Sequence, residues 1–429
     1  MLNQLTVSLW GDESFSVVLA KHNLFDIIRI TAQDFTPPLY YFFLHGWMQL
    51  FGTSEIAVRS LSLLFFLLIP LALFYLAKDF FGKKIALLAS GLVLLYPFLF
   101  GYAFEARAYT LLTFLTTLSM AFFLKKRWTL YVITTVAALY THNFTVFIIL
   151  AQILYFLVAL RKEWRSILLS FVGIGLLYLP WMTTIYQQVT RVNGDFWIDT
   201  PTWDTLKNMY KTFFVFYWTT ITIFILRGYK RKEDLLLYLW LLVPPFASFF
   251  LSLVGRPLFY DRYLIEIIPA IPLLLASGLY YQTKKISLFK RLRQIAIAVL
   301  ILYLGFNFIN KDIHKFSNPN KQPFRELAAY ITGTYPTEIP VINYYTDKLH
   351  YFELKYYDIP VVIYSPNELP YWVGKSLIDP QDNIQQFPED KPFLIVASGK
   401  IEEIQLPPSL IPTTSKQFGD LWLFEYNQQ

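Results

Sequence analysis

The 429-residue chain contains no cysteine, which excludes disulfides and thiolate metal sites and leaves its redox compartment open. Charge is scarce: Asp, Glu, Lys and Arg make up 16% of residues, against about 25% in soluble globular proteins. No glycine loop of the phosphate-binding type is present, so nothing supports a nucleotide-driven pump. The start, Met1-Leu-Asn-Gln-Leu5, has neither a basic region nor a long apolar run, so no signal peptide is visible.

What fills the chain instead is apolar. Hydrophobic residues account for 55% and aromatics for 19%, and the mean hydropathy is +0.41. This composition predicts an α-helical polytopic membrane protein. Runs of about 15 to 20 residues, almost free of charge, recur at the length that crosses a hydrocarbon core of roughly 30 Å. Ten are expected: Ser60–Ala77, Ile85–Phe100, Ala108–Leu124, Trp128–Tyr140, Phe144–Leu160, Ile167–Trp181, Thr212–Leu226, Leu235–Val254, Leu264–Tyr281 and Ile295–Ile309.

The connections between these runs sort by charge. Alternate ones, at 78–84, 125–127, 161–165, 227–232 and 284–293, hold about 18 Lys and Arg, and the intervening ones only six: Arg107, Arg191, Lys207, Lys211, Arg256 and Arg262. The positive-inside rule places the first set in the cytoplasm and the second outside. The segment before Ser60 is then outside, with Asp12, Glu13 and Asp34 on the same face as Glu105, Arg107, Arg256 and Arg262. Leu39–Phe51, opened by Pro37-Pro38 and closed near Gly52, is expected to be an interfacial helix rather than a span. An outward start ordinarily follows a first span, so an eleventh, N-terminal helix is expected in the natural protein.

Beyond Asn310 the texture changes. Residues 312–429 hold nine basic and 15 acidic side chains, and short apolar runs at Pro340–Asn343, Pro360–Tyr364, Phe393–Ala397 and Leu421–Glu425 read as strands. Helical stretches at Phe324–Thr332 and Asp347–Tyr357 separate some of them, which predicts a small α/β domain outside the membrane. Three divisions follow: an outer-face catalytic loop with interfacial helices at 1–59, a transmembrane domain at 60–310, and an extracytoplasmic α/β domain at 311–429.

A carboxylate pair, Asp12-Glu13, at the mouth of such a chain points to chemistry at a lipid–water boundary, or simply to a helix N-terminus on a wet surface. Asp34 lies on the interfacial loop near the pair, or caps the helix that follows the double proline. Arg107 in Glu105-Ala-Arg107 suits a phosphate clamp, because guanidinium meets phosphate oxygens with a fixed fork; a salt bridge to Glu105 is the other reading. Arg256 and Arg262 form a second outward basic group, suited to phosphate or to snorkelling at the interface. His142, in Tyr140-Thr-His-Asn143, has no second His or acidic partner near it in sequence, so it is read as a pocket-lining or hydrogen-bonding residue and no metal site is expected. Trp197 and Trp203 read as headgroup anchors before sugar platforms.

Several motifs, in order, resemble the GT-C superfamily of membrane glycosyltransferases, and among them the bacterial relatives of protein O-mannosyltransferases and aminoarabinose transferases. They are Trp10-Gly-Asp-Glu13, Asp34-Phe-Thr-Pro-Pro-Leu-Tyr-Tyr41, Phe51-Gly with Ser54-Glu55 and Ala57-Val-Arg59, Phe104-Glu-Ala-Arg-Ala-Tyr109, Leu179-Pro-Trp181 and Arg262-Tyr-Leu264. The resemblance implies an inverting transferase that uses a polyprenyl-phosphate sugar as donor substrate, with no certain cofactor. The acceptor would be an exported lipid-linked glycan, envelope polymer or protein. The setting would be the outer face of the cytoplasmic membrane, with membrane lipid as a partner and no nucleic acid.

It implies Asp12 as general base, with Glu13 helping to hold the acceptor. Substrate contacts would fall to Asp34, Glu105, Arg107, Tyr109, His142, Arg256, Arg262 and Tyr263. Thr36 departs from relatives that carry a basic residue or His before the two prolines, so no phosphate or metal role carries over to that position. The absence of an Asp-x-Asp pair suits a lipid-linked donor. Two other classes compete: a transporter or flippase, which would place ionisable residues near the midplane and show paired halves, and an inactive scaffold relative.

Overall fold

A computed structural model describes residues 2–191, 197–214, 231–282, 321–344, 349–366, 368–388, 391–404 and 410–426, with isolated positions at 295, 299, 302, 305 and 306. The chain divides into two compact units: one of Met1–Phe35, Tyr41–Val58 and Ser317–Gln429, the other of Thr36–Tyr40 and Arg59–Phe316.

The second unit is helical. Glu55–Phe80, the run Arg161–Thr190 and Lys232–Val254 are long and apolar enough to cross a membrane, and Asp261–Ile267 with Ala270–Tyr280, bent by 46°, would form a fourth such span. Tyr109–Leu124, Trp128–Leu139 and Thr145–Ala159 are shorter and equally apolar. The bend follows Pro269, which has no N–H to continue the helical ladder. The expected run Ile85–Phe100 is two helices, Lys83–Val93 and Pro97–Tyr102, parted before Pro97 for the same reason. Thr212–Leu226 and Ile295–Ile309 fall almost wholly outside the described residues.

Polar side chains buried in this unit find each other. Tyr131 donates to Gln152 (2.8 Å), Gln152 donates to Ser119 (3.0 Å), and Ser119 meets Thr135 at 2.7 Å, tying three apolar helices together. Thr113, Thr116 and Thr117 return their hydroxyls to carbonyls one turn back, which satisfies them within their own helix. Basic connections expected on one face do meet: Lys125 pairs with Asp79, Lys126 with Glu163 at 2.6 Å, and Arg231 donates to the Phe80 carbonyl.

In the first unit, the helices Gly11–Ala20 and Leu24–Gln33, and the helix Leu39–Phe51 from Tyr41 on, occupy the N-terminal part. The last ends at Gly52, whose φ of +82° is a left-handed cap that L side chains rarely adopt. The C-terminal part holds a six-stranded sheet: β1 Val341–Tyr344, β2 Val361–Tyr364, β3 Asn383–Ile384, β4 Phe393–Ser398, β5 Thr414–Phe418 and β6 Leu421–Tyr426. Their order is β3-β2-β1-β4-β6-β5, parallel from β3 to β4 and antiparallel beyond. Ile342, Phe393, Ile395, Ala397, Phe424 and Tyr426 form the core of one face. The helix Tyr351–Tyr356, between β1 and β2, packs on Gly11–Ala20, with Phe352 and Phe15 edge to face at 5.2 Å. Gly374, at φ +78°, lies so close that a Cβ there would stand 2.8 Å from the Phe15 ring.

Candidate functional site

Asp12 and Glu13 occupy the first turn of the helix Gly11–Ala20, where the helix dipole favours negative charge. Asp12 is half-buried and Glu13 has no exposure at all. Glu13 Oε2 accepts from the Lys321 ammonium at 2.9 Å, a residue 308 positions away in sequence. Nearby in the same unit, Arg325 Nε donates to Glu55 Oε1 at 3.1 Å, Tyr357 donates to that oxygen at 2.9 Å, and Tyr356 donates to the Thr53 carbonyl at 2.8 Å. The motif helix, Ser54-Glu55 and the chain after 320 thus form one body. Asp34 is buried and ends the helix Leu24–Gln33, its N–H bonded to the Ile30 carbonyl at 3.0 Å.

The remaining expected residues lie in the helical unit, and most of them converge. His142 sits in the turn between Trp128–Leu139 and Thr145–Ala159, its ring 5.1 Å from Tyr263 and 6.3 Å from Tyr109. The Arg107 guanidinium lies 5.8 Å from the Tyr109 ring, and its carbonyl accepts from Ser62 at 3.2 Å. Arg262 is wrapped by aromatics: its guanidinium stands 4.9 Å from the Tyr260 ring, 5.4 Å from Trp197 and 5.7 Å from Tyr263. Cation–π contact of this kind helps to hold a guanidinium in place.

The electrostatics record the same convergence. Burial, with the positive charges of Arg107 and Arg262 adding to it, pushes the His142 imidazole down to about 3, so the ring is neutral across the physiological range. Burial first, and then the charge of Glu105, hold the Tyr102 phenol protonated well above its ordinary value, with Arg262 opposing. Two guanidinium groups, a neutral imidazole donor or acceptor and a protonated phenol make a site suited to phosphate oxygens.

Arg256 donates to the Val189 carbonyl. Trp203 packs on Phe249 at 4.8 Å, while Trp197 is a wall of the Arg262 cage. Sequence reasoning missed Tyr102, Tyr260 and Lys321. The two tyrosines were legible in principle, each lying within a few residues of a quoted motif, whereas Lys321 carried no local signal. Among the described residues, no group of three His, Asp or Glu side chains is placed to hold a metal ion.

Residues 36–186 match the family model of dolichyl-phosphate-mannose-protein mannosyltransferases. No curated protein sequence matches the chain. Among solved structures, ArnT from Cupriavidus metallidurans aligns over 98% of this chain and 94% of its own, at 13% identity and a TM-score of 0.69, both in the apo state and bound to undecaprenyl phosphate. The Archaeoglobus fulgidus oligosaccharyltransferase AglB, solved with an inhibitory peptide and a dolichol-phosphate, aligns over 83% of this chain and 60% of its own, at 13% identity and a TM-score of 0.56. The sequence of residues 36–186 and the fold of almost the whole chain thus set this protein beside the GT-C membrane glycosyltransferases, as its ordered motifs imply.

Proposed function

We propose that the protein is an inverting glycosyltransferase that moves a sugar from polyprenyl phosphate to an exported acceptor, at the outer face of the cytoplasmic membrane. In this reading residues 60–310 span the membrane, in ten spans or eleven with an upstream helix, and residues 1–59 and 311–429 are extracytoplasmic.

Asp12 takes the proton from the acceptor hydroxyl as its oxygen attacks the anomeric carbon from the face opposite the phosphate. The bond between that carbon and the phosphate oxygen breaks, its electron pair leaves on polyprenyl phosphate, and the sugar inverts. Glu13 helps to hold the acceptor, and Asp34 contributes from the same unit. In the helical unit, Arg107 and Arg262 meet the charge that grows on the departing phosphate, with Glu105, Tyr109, His142 and Tyr263 shaping the site. Arg256, bonded to Val189, serves at its margin.

The observation that carries this reading is the pair of guanidinium groups converging on neutral His142 and its aromatic neighbours. The match of residues 36–186 to a mannosyltransferase family, and the fold shared with an undecaprenyl-phosphate-binding protein, support the donor class. The test is transfer of radiolabel from a panel of polyprenyl-phosphate sugars by the purified protein, wild type against Asp12→Asn. Label moved by wild type alone supports the reaction and names the sugar; no transfer from any donor overturns it.

A further inference from the structure

The C-terminal part of the first unit carries a cleft of about 790 Å³, walled by Lys321, Lys400, Glu402, Gln417, Asp420 and Trp422. Its lining is mixed in a particular way. Two ammonium groups face two carboxylates, so the cleft carries no net charge to recruit a polyphosphate or nucleic acid. Pro323 and Ile401 add apolar surface to the wall beside Trp422. The indole of half-buried Trp422 is fixed by its Nε1–H, which donates to the Gly399 carbonyl at 3.1 Å. The loops pass close to it because Gly399 and Gly419 adopt φ of +118° and +59°. A Cβ at Gly419 would stand 3.2 Å from Pro323. Donors and acceptors of both signs around one aromatic face match a pyranose, which presents hydroxyls at its edge and C–H groups on its faces.

Two lines of contact run from this cleft to the Gly11-Asp12-Glu13 turn. On one wall, Lys321 is itself the partner of buried Glu13. On the other, Ser398, which precedes Gly399, lies 2.7 Å from His350 Nε2 through its Oγ. His350 Nδ1 is 3.9 Å from Glu353 Oε1. That same oxygen sits 3.4 Å from where a Cβ on Gly11 would be. His350 and Glu353 are 4% and 3% exposed, so this is a built interior path rather than a surface coincidence.

We propose that the cleft is a glycan-binding site that docks the saccharide portion of the acceptor. The identity of that saccharide as acceptor rests on the transferase reading; the binding itself does not. Lys400, Glu402 and Gln417 are exposed, so substitutions there leave the sheet intact.

The experiment is binding of the detergent-solubilised full chain to an array of neutral and anionic oligosaccharides, followed by titration of the retained ones against Lys400→Glu and Gln417→Ala. At least one oligosaccharide is expected to bind wild type, and to lose about tenfold or more in affinity with each cleft variant. No oligosaccharide bound by wild type, or equal binding by wild type and cleft variants, overturns the proposal. Binding at the cleft without any sugar transfer would sink the transferase reading alone, and transfer without cleft binding would sink the cleft alone.

Discussion

Replacing Lys321 with Met should be among the most damaging single substitutions in the first unit, although Lys321 lies in an irregular segment. Its ammonium is the ion-pair partner of a carboxylate with 0% side-chain exposure, while Lys321 itself keeps 15%. Breaking a buried pair from one side leaves an uncompensated charge and costs about 3–5 kcal/mol. For a unit of this size 1 kcal/mol moves a melting midpoint by about 2–4 °C, so Lys321→Met should lower it by about 6–20 °C. Glu13→Gln should cost less, because the orphaned ammonium can reach water where the carboxylate cannot. The double variant Glu13→Gln/Lys321→Met removes both charges and should recover part of the loss, giving a favourable coupling in the cycle. Intrinsic fluorescence melting of the four proteins in detergent reads this directly, since Trp10 and Trp422 both lie in the unit. A Lys321→Met midpoint within 2 °C of wild type, or a double variant no more stable than Lys321→Met, would refute the reasoning.

Four further outcomes are expected. Asp12→Asn should lower transfer by about 10²–10⁴-fold with an unchanged melting midpoint, whereas Glu13→Gln only weakens it; steady-state rates with labelled donor decide this. Arg107→Ala should raise the KM for the donor about tenfold or more while sparing the acceptor, and an unchanged donor KM would move the phosphate role elsewhere. Because His142 is pushed down to about 3 in the folded protein, the unfolded chain takes up its proton first as pH falls from about 6.5, so folding stability declines through that window. His142→Gln should flatten that decline, and parallel melting curves for the two proteins would discard the assignment. Gln152→Leu removes the partner of Tyr131 and Ser119 and should cost about 1 kcal/mol, read as a small drop in melting midpoint.

Much of this architecture was legible because periodicity and punctuation act locally. The helix Leu39–Phe51 follows a double proline and ends at a glycine, and the strands at 341, 361, 393 and 421 are apolar runs bounded by turn residues. β5 escaped because Thr414-Ser-Lys-Gln-Phe418 is almost wholly exposed and shows no alternation; it forms by pairing with β6 at the sheet edge. The breaks at Pro97 and Pro269 were written in the sequence, but hydropathy averages across them. At the site, positive-inside sorting set Glu105, Arg107, Arg256 and Arg262 on one expected face, which is as far as a one-dimensional signal reaches. The cage around Arg262 and the Lys321–Glu13 pair depend on which distant segments meet, and no local pattern encodes that.

The composition of the first unit has a consequence for how the protein is made. Its N-terminal part ends at Val58 and its C-terminal part resumes at Ser317, so about 260 residues are synthesised between the two. At about 5–20 residues per second, the motif helix waits on the order of 10 to 50 s before Lys321 emerges. During that interval Glu13 lacks its counter-ion and Phe15 lacks the Phe352 ring, so the surface of the amino-terminal helices is unfinished. Premature termination after the helical unit would therefore yield a chain whose carboxylate motif is intact in sequence yet never assembled.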